Sequence, residues 1–200
     1  MLDHVFTDAI GALRDAFENA LLERQAVEEQ FKVDVLLGDM TWETSYGLPG
    51  EGTPPRFQVD ITLDWPTWSQ TAYRLWYIGE GLPEAPRIEI SIVLRAQRLA
   101  SHPNLAAFFA ALPERSPKIG AEALDRRAPT VEVSYSLDLT EPTYALEVCY
   151  EGSYEFDEDA LADGSILDTH FSALGGWISA TLVKVSDQKW DFLPRHDESI

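Results

Sequence analysis

Four histidines (His4, His102, His170 and His196) and one cysteine (Cys149) are the residues that could ligate a transition metal or pair as nucleophile and base. Their separations match no ligand spacing, and neither C-x-x-C nor H-E-x-x-H occurs. Cys149 has Glu147 and Glu151 as near neighbours and no histidine close by in sequence. Carboxylates raise a thiol pKa, which is the opposite of what a reactive thiolate needs. The stretch "DEDALADG" at 157–164 resembles a calcium loop only in composition, because Leu161 stands where a third oxygen ligand is required. "GEG" at 50–52 and again at 79–81 lacks the strand-to-helix setting of a phosphate cradle. No G-x-S-x-G is present. The sequence therefore implies no catalytic residue, no cofactor and no metal, and points away from an enzyme.

What remains is a pattern of carboxylates. "RFQVDITLDW" (56–65) places Phe57, Val59, Ile61, Leu63 and Trp65 on one set of alternate positions, and Gln58, Asp60, Thr62 and Asp64 on the other. A period of two is the mark of a half-buried strand. The same alternation puts Glu89, Glu132, Asp138, Glu147 and Glu151 on polar positions, interleaved with Thr62, Ser91, Ser134 and Ser136. If these strands share one sheet, its open face is acidic and rich in hydroxyls, with Arg95 as the main basic residue. Like charges facing one another across strands cost stability, and a basic partner offsets that cost on binding. Carboxylates alone, in so acidic a chain, are poor evidence for acid–base catalysis. An aromatic-rich stretch (Trp65, Trp68, Tyr73, Trp76, Tyr77) adds residue types common at interfaces. The expected protein-binding residues are thus Asp60, Asp64, Glu89, Glu132, Asp138, Glu147, Trp68 and Trp76.

The totals agree with a binding role. Thirty-four acidic residues face fifteen basic ones, a net charge of -19 over 200 residues. Such a field repels phosphate backbones and anionic membranes and attracts basic proteins. The basic residues form no stripe, with Arg126 and Arg127 an isolated adjacent pair, so direct nucleic-acid binding is not expected. A single cysteine forms no internal disulfide and suits a reducing cytosol. The first residues lack the apolar core of a signal peptide, and no apolar run approaches the ~20 residues of a membrane helix. The expected location is cytoplasmic.

The elements that must position these residues follow from periodicity. Val5, Phe6, Ile10, Leu13, Phe17 and Leu21 recur at helical steps, giving a helix over about the first thirty residues with Asp3 as its cap. "DVLLGDMTW" begins a strand and "RFQVDITLDW" is the next. "PTWSQ" turns the chain and "TAYRLWYIG" continues extended. "RIEISIVLRA" is a further strand, and Ser101 opens a short helix, "HPNLAAFFAALP". Residues 114–128 read as a charged connector. "TVEVSYSLDL" and "TYALEVCYEGSYEF", joined by "TEPT", read as an antiparallel hairpin. Acids at 157–159 open a final helical region that carries Leu174, Trp177, Ile178 and Leu182, and the tail over 186–200 is expected to fray. This is one α+β domain over 1–200: an antiparallel sheet of about five strands with helices on one face, in the order α-β-β-β-α-β-β-α.

That order is similar to the type III secretion chaperone fold and looks like the YbjN family, which shares it. The residues that carry the resemblance are the opening helix (5–31), the alternating segments "DVLLGDMTW", "RFQVDITLDW" and "RIEISIVLRA", the helix "HPNLAAFFAALP", the hairpin quoted above and the last helix through Trp177. The chain departs from it in extra material near 67–78 and 114–128. The resemblance implies a non-enzymatic, chaperone-like or adaptor protein that forms a homodimer and holds a protein client. With the charge, that client is expected to be basic, such as a DNA-binding or other nucleic-acid-handling protein. Gly175 and Gly176 inside a helical pattern, each costing about 1 kcal/mol relative to Ala, mark a close approach or a bend, and with Trp177 they are the expected dimer residues. The alternative is an inhibitor or immunity-type protein that masks a basic active site with phosphate-like charge.

Overall fold

The structure is a computed structural model that describes residues 4–21, 27–36, 38–49, 54–82, 84–135 and 141–193. Asp3, Asp138, Ser136, His196 and the "GEG" at 50–52 lie outside the described residues. The elements are α1 (His4–Leu21), β1 (Val27–Leu36), β2 (Asp39–Gly47), β3 (Phe57–Trp65), α2 (Thr67–Tyr77), β4 (Arg87–Leu99), α3 (Leu105–Ala111), β5 (Asp125–Arg126), β6 (Thr130–Ser134), β7 (Thr143–Glu155), α4 (Glu158–Ala162) and α5 (Gly164–Ser186). No described helix is long and apolar enough to cross a membrane.

The fold is α+β, as its alternating patterns predict. Among the described residues, seven strands form one antiparallel sheet in the order β1-β2-β3-β4-β7, with β5 and β6 end to end along the outer edge of β7. The apolar rows of β3 and β4 are buried at every second residue. They meet α1 and α5, whose buried residues include Phe6, Leu13 and Phe17 on one helix and Phe171, Leu174 and Ile178 on the other. Each large apolar side chain so buried contributes about 1.5–3 kcal/mol. The helices cover one face, and the other carries the polar row.

Several segment assignments differ from the sequence expectation. The opening helix ends at Leu21, not near residue 31, and Val27 is already in β1. "DVLLGDMTW" is two strands rather than one, because the chain reverses at Gly38, whose φ of 96° strongly favours glycine. The short helix is capped by Asn104, which accepts from Ala107 N, and not by Ser101. The connector at 114–128 contains β5. The sheet consequently has seven strands in place of about five.

The largest difference is α2, which replaces an expected extended segment. Its buried residues Ser69, Ala72 and Tyr73 follow helical spacing from Trp65. Its start has no local side-chain cap. The cap comes from far upstream: the Asp39 carboxylate accepts from Thr67 N (2.6 Å) and Thr67 Oγ1 (2.7 Å). Gln70 Nε2 also donates to Gly38 O. The β1–β2 turn thus sets the helix start.

The bonds from Thr67 hold the Asp39 carboxyl below its ordinary range. A depressed folded pKa adds stability above the unfolded value, near pH 4, and that stability is lost as pH falls through the folded value. Asp39→Ala is therefore expected to lower the thermal midpoint at pH 7, with the gap to the parent narrowing below about pH 4. Melting curves across that range test this, and a gap independent of pH would refute it.

Candidate functional site

The open face is built by the alternate residues of β2, β3, β4 and β7. Register places Asp64 opposite Glu89, Thr62 opposite Ser91, and Arg95 opposite both Gln58 and Glu147. Directly opposed residues share a face, so Asp60, Asp64, Glu89 and Glu147 are brought together as their spacing predicts. Glu132 opposes Ala145 and lies on the same face, at the sheet's edge on β6.

These carboxylates are more balanced than the sequence suggests. Arg95 Nε donates to Glu147 (2.7 Å), and its Nη1 lies 3.6 Å from Asp60. Asp60 also accepts from Ser45 and from Gln58, each at 2.6 Å. Arg87 pairs with Glu89 (2.7 Å) and Arg127 with Glu151 (2.8 Å). Asp64 accepts from the Thr41 hydroxyl. In sequence Arg95 stands out as the basic residue of the face, and Arg87 and Arg127 are its missed members. Arg87 falls on the polar phase of "RIEISIVLRA" and so was open to recognition. Arg127 lies in the connector, and only the pairing of β5 with β7 carries it to Glu151. Ion pairs this exposed contribute little stability.

Two shallow concavities open on this face. One, of about 330 Å³, is lined by Glu43, Ser45, Gln58, Asp60, Thr62 and Arg95 among others. The second, of about 280 Å³, is lined by Asp64, Glu89, Ser91, Arg127, Glu151 and neighbouring backbone. Cys149 lies between them in register, opposite Val93. Its Sγ is 3.5 Å from Ser91 Oγ and 3.4 Å from Glu151 Oε1. Burial, and the hydrogen bond to Glu151, push the Cys149 thiol up, while Ser91 and Arg127 offset part of this. The pairing with Arg127, seconded by the thiol, holds Glu151 below its ordinary range. The Cys149 site therefore favours a protonated thiol over a nucleophilic thiolate.

The three described histidines are scattered. His4 lies edge-on to Tyr73, His102 edge-on to Tyr144, and His170 Nδ1 is 2.9 Å from the Tyr154 hydroxyl. Burial pushes the Tyr154 phenol up to about 12. No group of three or more metal-ligating side chains occurs among the described residues.

The two tryptophans separate. Trp68 stacks under the Arg87 guanidinium, 4.9 Å from ring centre, at the margin of the acidic face. Trp76 is partly buried against the core, stacked on Tyr73 at 5.9 Å, so it is not part of that face. The close approach anticipated at the glycines is made within the chain. A Cβ on Gly175 would sit 2.3 Å from Leu13 O and 3.2 Å from Phe17 N, both in α1. Gly176 faces open space. Trp177 lies edge-on to Tyr150 at 5.0 Å. Gly175 and Trp177 are thus accounted for by packing of α5 on α1 and on the sheet, whereas Gly176 is not.

Comparison of the chain with protein-family models, with curated proteins and with solved structures finds no match.

Proposed function

We propose that this protein is a non-enzymatic acidic adaptor or chaperone-like protein that holds a basic segment of a client protein against the open face of its sheet. The observation that carries this reading is the face itself. Among the described residues, Asp60, Asp64, Glu89, Glu147 and Glu151 converge on a surface that no helix covers, and the guanidiniums there (Arg87, Arg95, Arg127) are fewer than the carboxylates. Rows of hydroxyls between the acids (Thr41, Ser45, Thr62, Ser91) offer further acceptors to ammonium and guanidinium groups. The net charge of -19 adds long-range attraction for a basic partner. The secretion-chaperone analogy accords with the helix-backed antiparallel sheet, but the proposal rests on the charge of the face.

The test is capture from a lysate on the immobilised protein at low salt, with elution by rising salt. Basic proteins are expected to be retained at about 50 mM salt and largely released by about 300 mM, where the Debye length has fallen well below 10 Å. The variant Asp64→Asn/Glu89→Gln/Glu151→Gln is expected to retain on the order of tenfold less. Retention indifferent to both salt and the substitutions would sink the reading. Where the retained protein is an enzyme, complete inhibition at equal stoichiometry would identify an inhibitor rather than a chaperone.

A further inference from the structure

The sheet ends, beyond β7, on a strand that is poorly defended. β6 pairs with β7 on one side, from Thr130 opposite Glu147 to Ser134 opposite Thr143. Among the described residues nothing pairs with its other side. An edge of this kind presents unpaired N–H and C=O groups, which natural sheets blunt with short strands, charge, proline or bulges. β6 is short and carries one charge, Glu132, on its polar face, but its apolar face is left open. Val131 and Val133 continue the apolar row of the sheet, and Tyr135 follows just past the strand's end, yet Val133 is 41% exposed and Tyr135 83% exposed. They are two of the few large apolar side chains that the described residues leave so exposed. On the opposite face of the same strand stands Glu132, exposed beside the acidic surface.

We infer that β6 is a docking edge for an extended segment of a protein partner in which basic and apolar residues alternate. This rests on the reading of the protein as a binder of basic clients. A strand added to β6 satisfies the free backbone groups. Its apolar side chains cover Val133 and Tyr135, and its Lys or Arg side chains lie opposite or diagonal to Glu132, where opposite charges across strands attract. Charge selects this occupant over a second copy of the chain. Two copies would bring together molecules of net charge -19 each, whereas a basic segment is drawn in by the same field. Alternation selects it over an unstructured basic tail, because the two faces of β6 differ in polarity and successive residues of a strand point to opposite faces.

The probe is the peptide acetyl-Lys-Val-Lys-Val-Lys-Tyr-Lys-amide, compared with a peptide of the same composition whose lysines are grouped at one end. Binding is followed by titration, and the site by amide hydrogen exchange. The alternating peptide is expected to bind about tenfold tighter than the grouped one and to slow exchange at residues 130–134. Val133→Ser/Tyr135→Ser alters only exposed side chains and is expected to lose that preference, about tenfold, while retaining salt-dependent attraction for both peptides. Equal binding of the two peptides, with no protection in β6 and loss on neutralising Asp64, Glu89 and Glu151, would overturn the edge and leave the acidic face as the binding surface. Failure of both peptides to bind at about 50 mM salt would overturn the basic-client reading itself. Protection of residues 130–134 that grows with protein concentration without peptide would assign the edge to a second copy instead.

Discussion

Gly175→Ala is expected to destabilise the fold by about 3 kcal/mol or more, at the upper end of what overpacking costs. The methyl group would be placed 2.3 Å from Leu13 O and 3.2 Å from Leu13 C and Phe17 N. All three are backbone atoms of α1, so no side chain can swing aside. Either α1 and α5 separate, opening the buried seam between Leu13, Phe17, Leu174 and Ile178, or the helix bends. For a chain of this length about 3 kcal/mol corresponds to roughly 6–12 °C in thermal midpoint. Gly176→Ala is the matched control. Its Cβ meets nothing within 4 Å, so the change removes a helix-interior glycine and is expected to stabilise by up to about 1 kcal/mol. Urea unfolding of the two variants measures both. Equal effects of the same sign would show that the seam between α1 and α5 is not packed as described.

Ser69→Ala is expected to cost about 3 kcal/mol, although it deletes a single oxygen. Ser69 is fully buried. Its hydroxyl accepts from Trp65 Nε1 (2.8 Å) and from Arg87 N (2.7 Å), and donates to Arg87 O (2.8 Å). One side chain thereby ties the end of β3, the first turn of α2 and the start of β4. Alanine leaves an indole N–H and a backbone N–H without that partner in a buried setting, each worth roughly 1–3 kcal/mol. The gain in helix propensity from alanine is only about 0.5 kcal/mol and does not compensate. Thr71→Ala on the same helix is the control. Its hydroxyl is exposed and bonds Thr67 O, so a change within about 0.5 kcal/mol is expected. Denaturant midpoints for the two variants decide, and a Ser69→Ala effect no larger than that of Thr71→Ala would refute the account.

How much of this was legible before folding depends on the range of the contacts involved. The hairpin of β6 and β7 and the face assignments of Asp60, Asp64, Glu89 and Glu147 are written in alternation, and alternation depends on nothing beyond adjacent residues. The acidic starts of the last helices are local too. Asp157 accepts from Ala160 N (2.8 Å) and Asp163 from Ser165 N (2.9 Å). The reading of "TAYRLWYIG" as extended fails because nothing near it in sequence caps a helix. Trp65, Ser69, Ala72, Tyr73 and Trp76 nonetheless carry the 3.6 period. That spacing was the available signal. The open outer edge on β6 had none, since a strand's neighbours, and therefore its exposure, are properties of the assembled sheet.

By itself the sequence determined the charge of the molecule and which side chains share a face along each strand, because composition and period are local quantities. Only the tertiary structure decided which strands lie side by side and which charges meet. Asp39 caps a helix 28 residues later, Arg95 reaches Glu147 across 52 positions, and Gly175 is small because Leu13 lies against it. Such partners are fixed by how a whole core closes around its apolar surface, and no spacing along the chain encodes them.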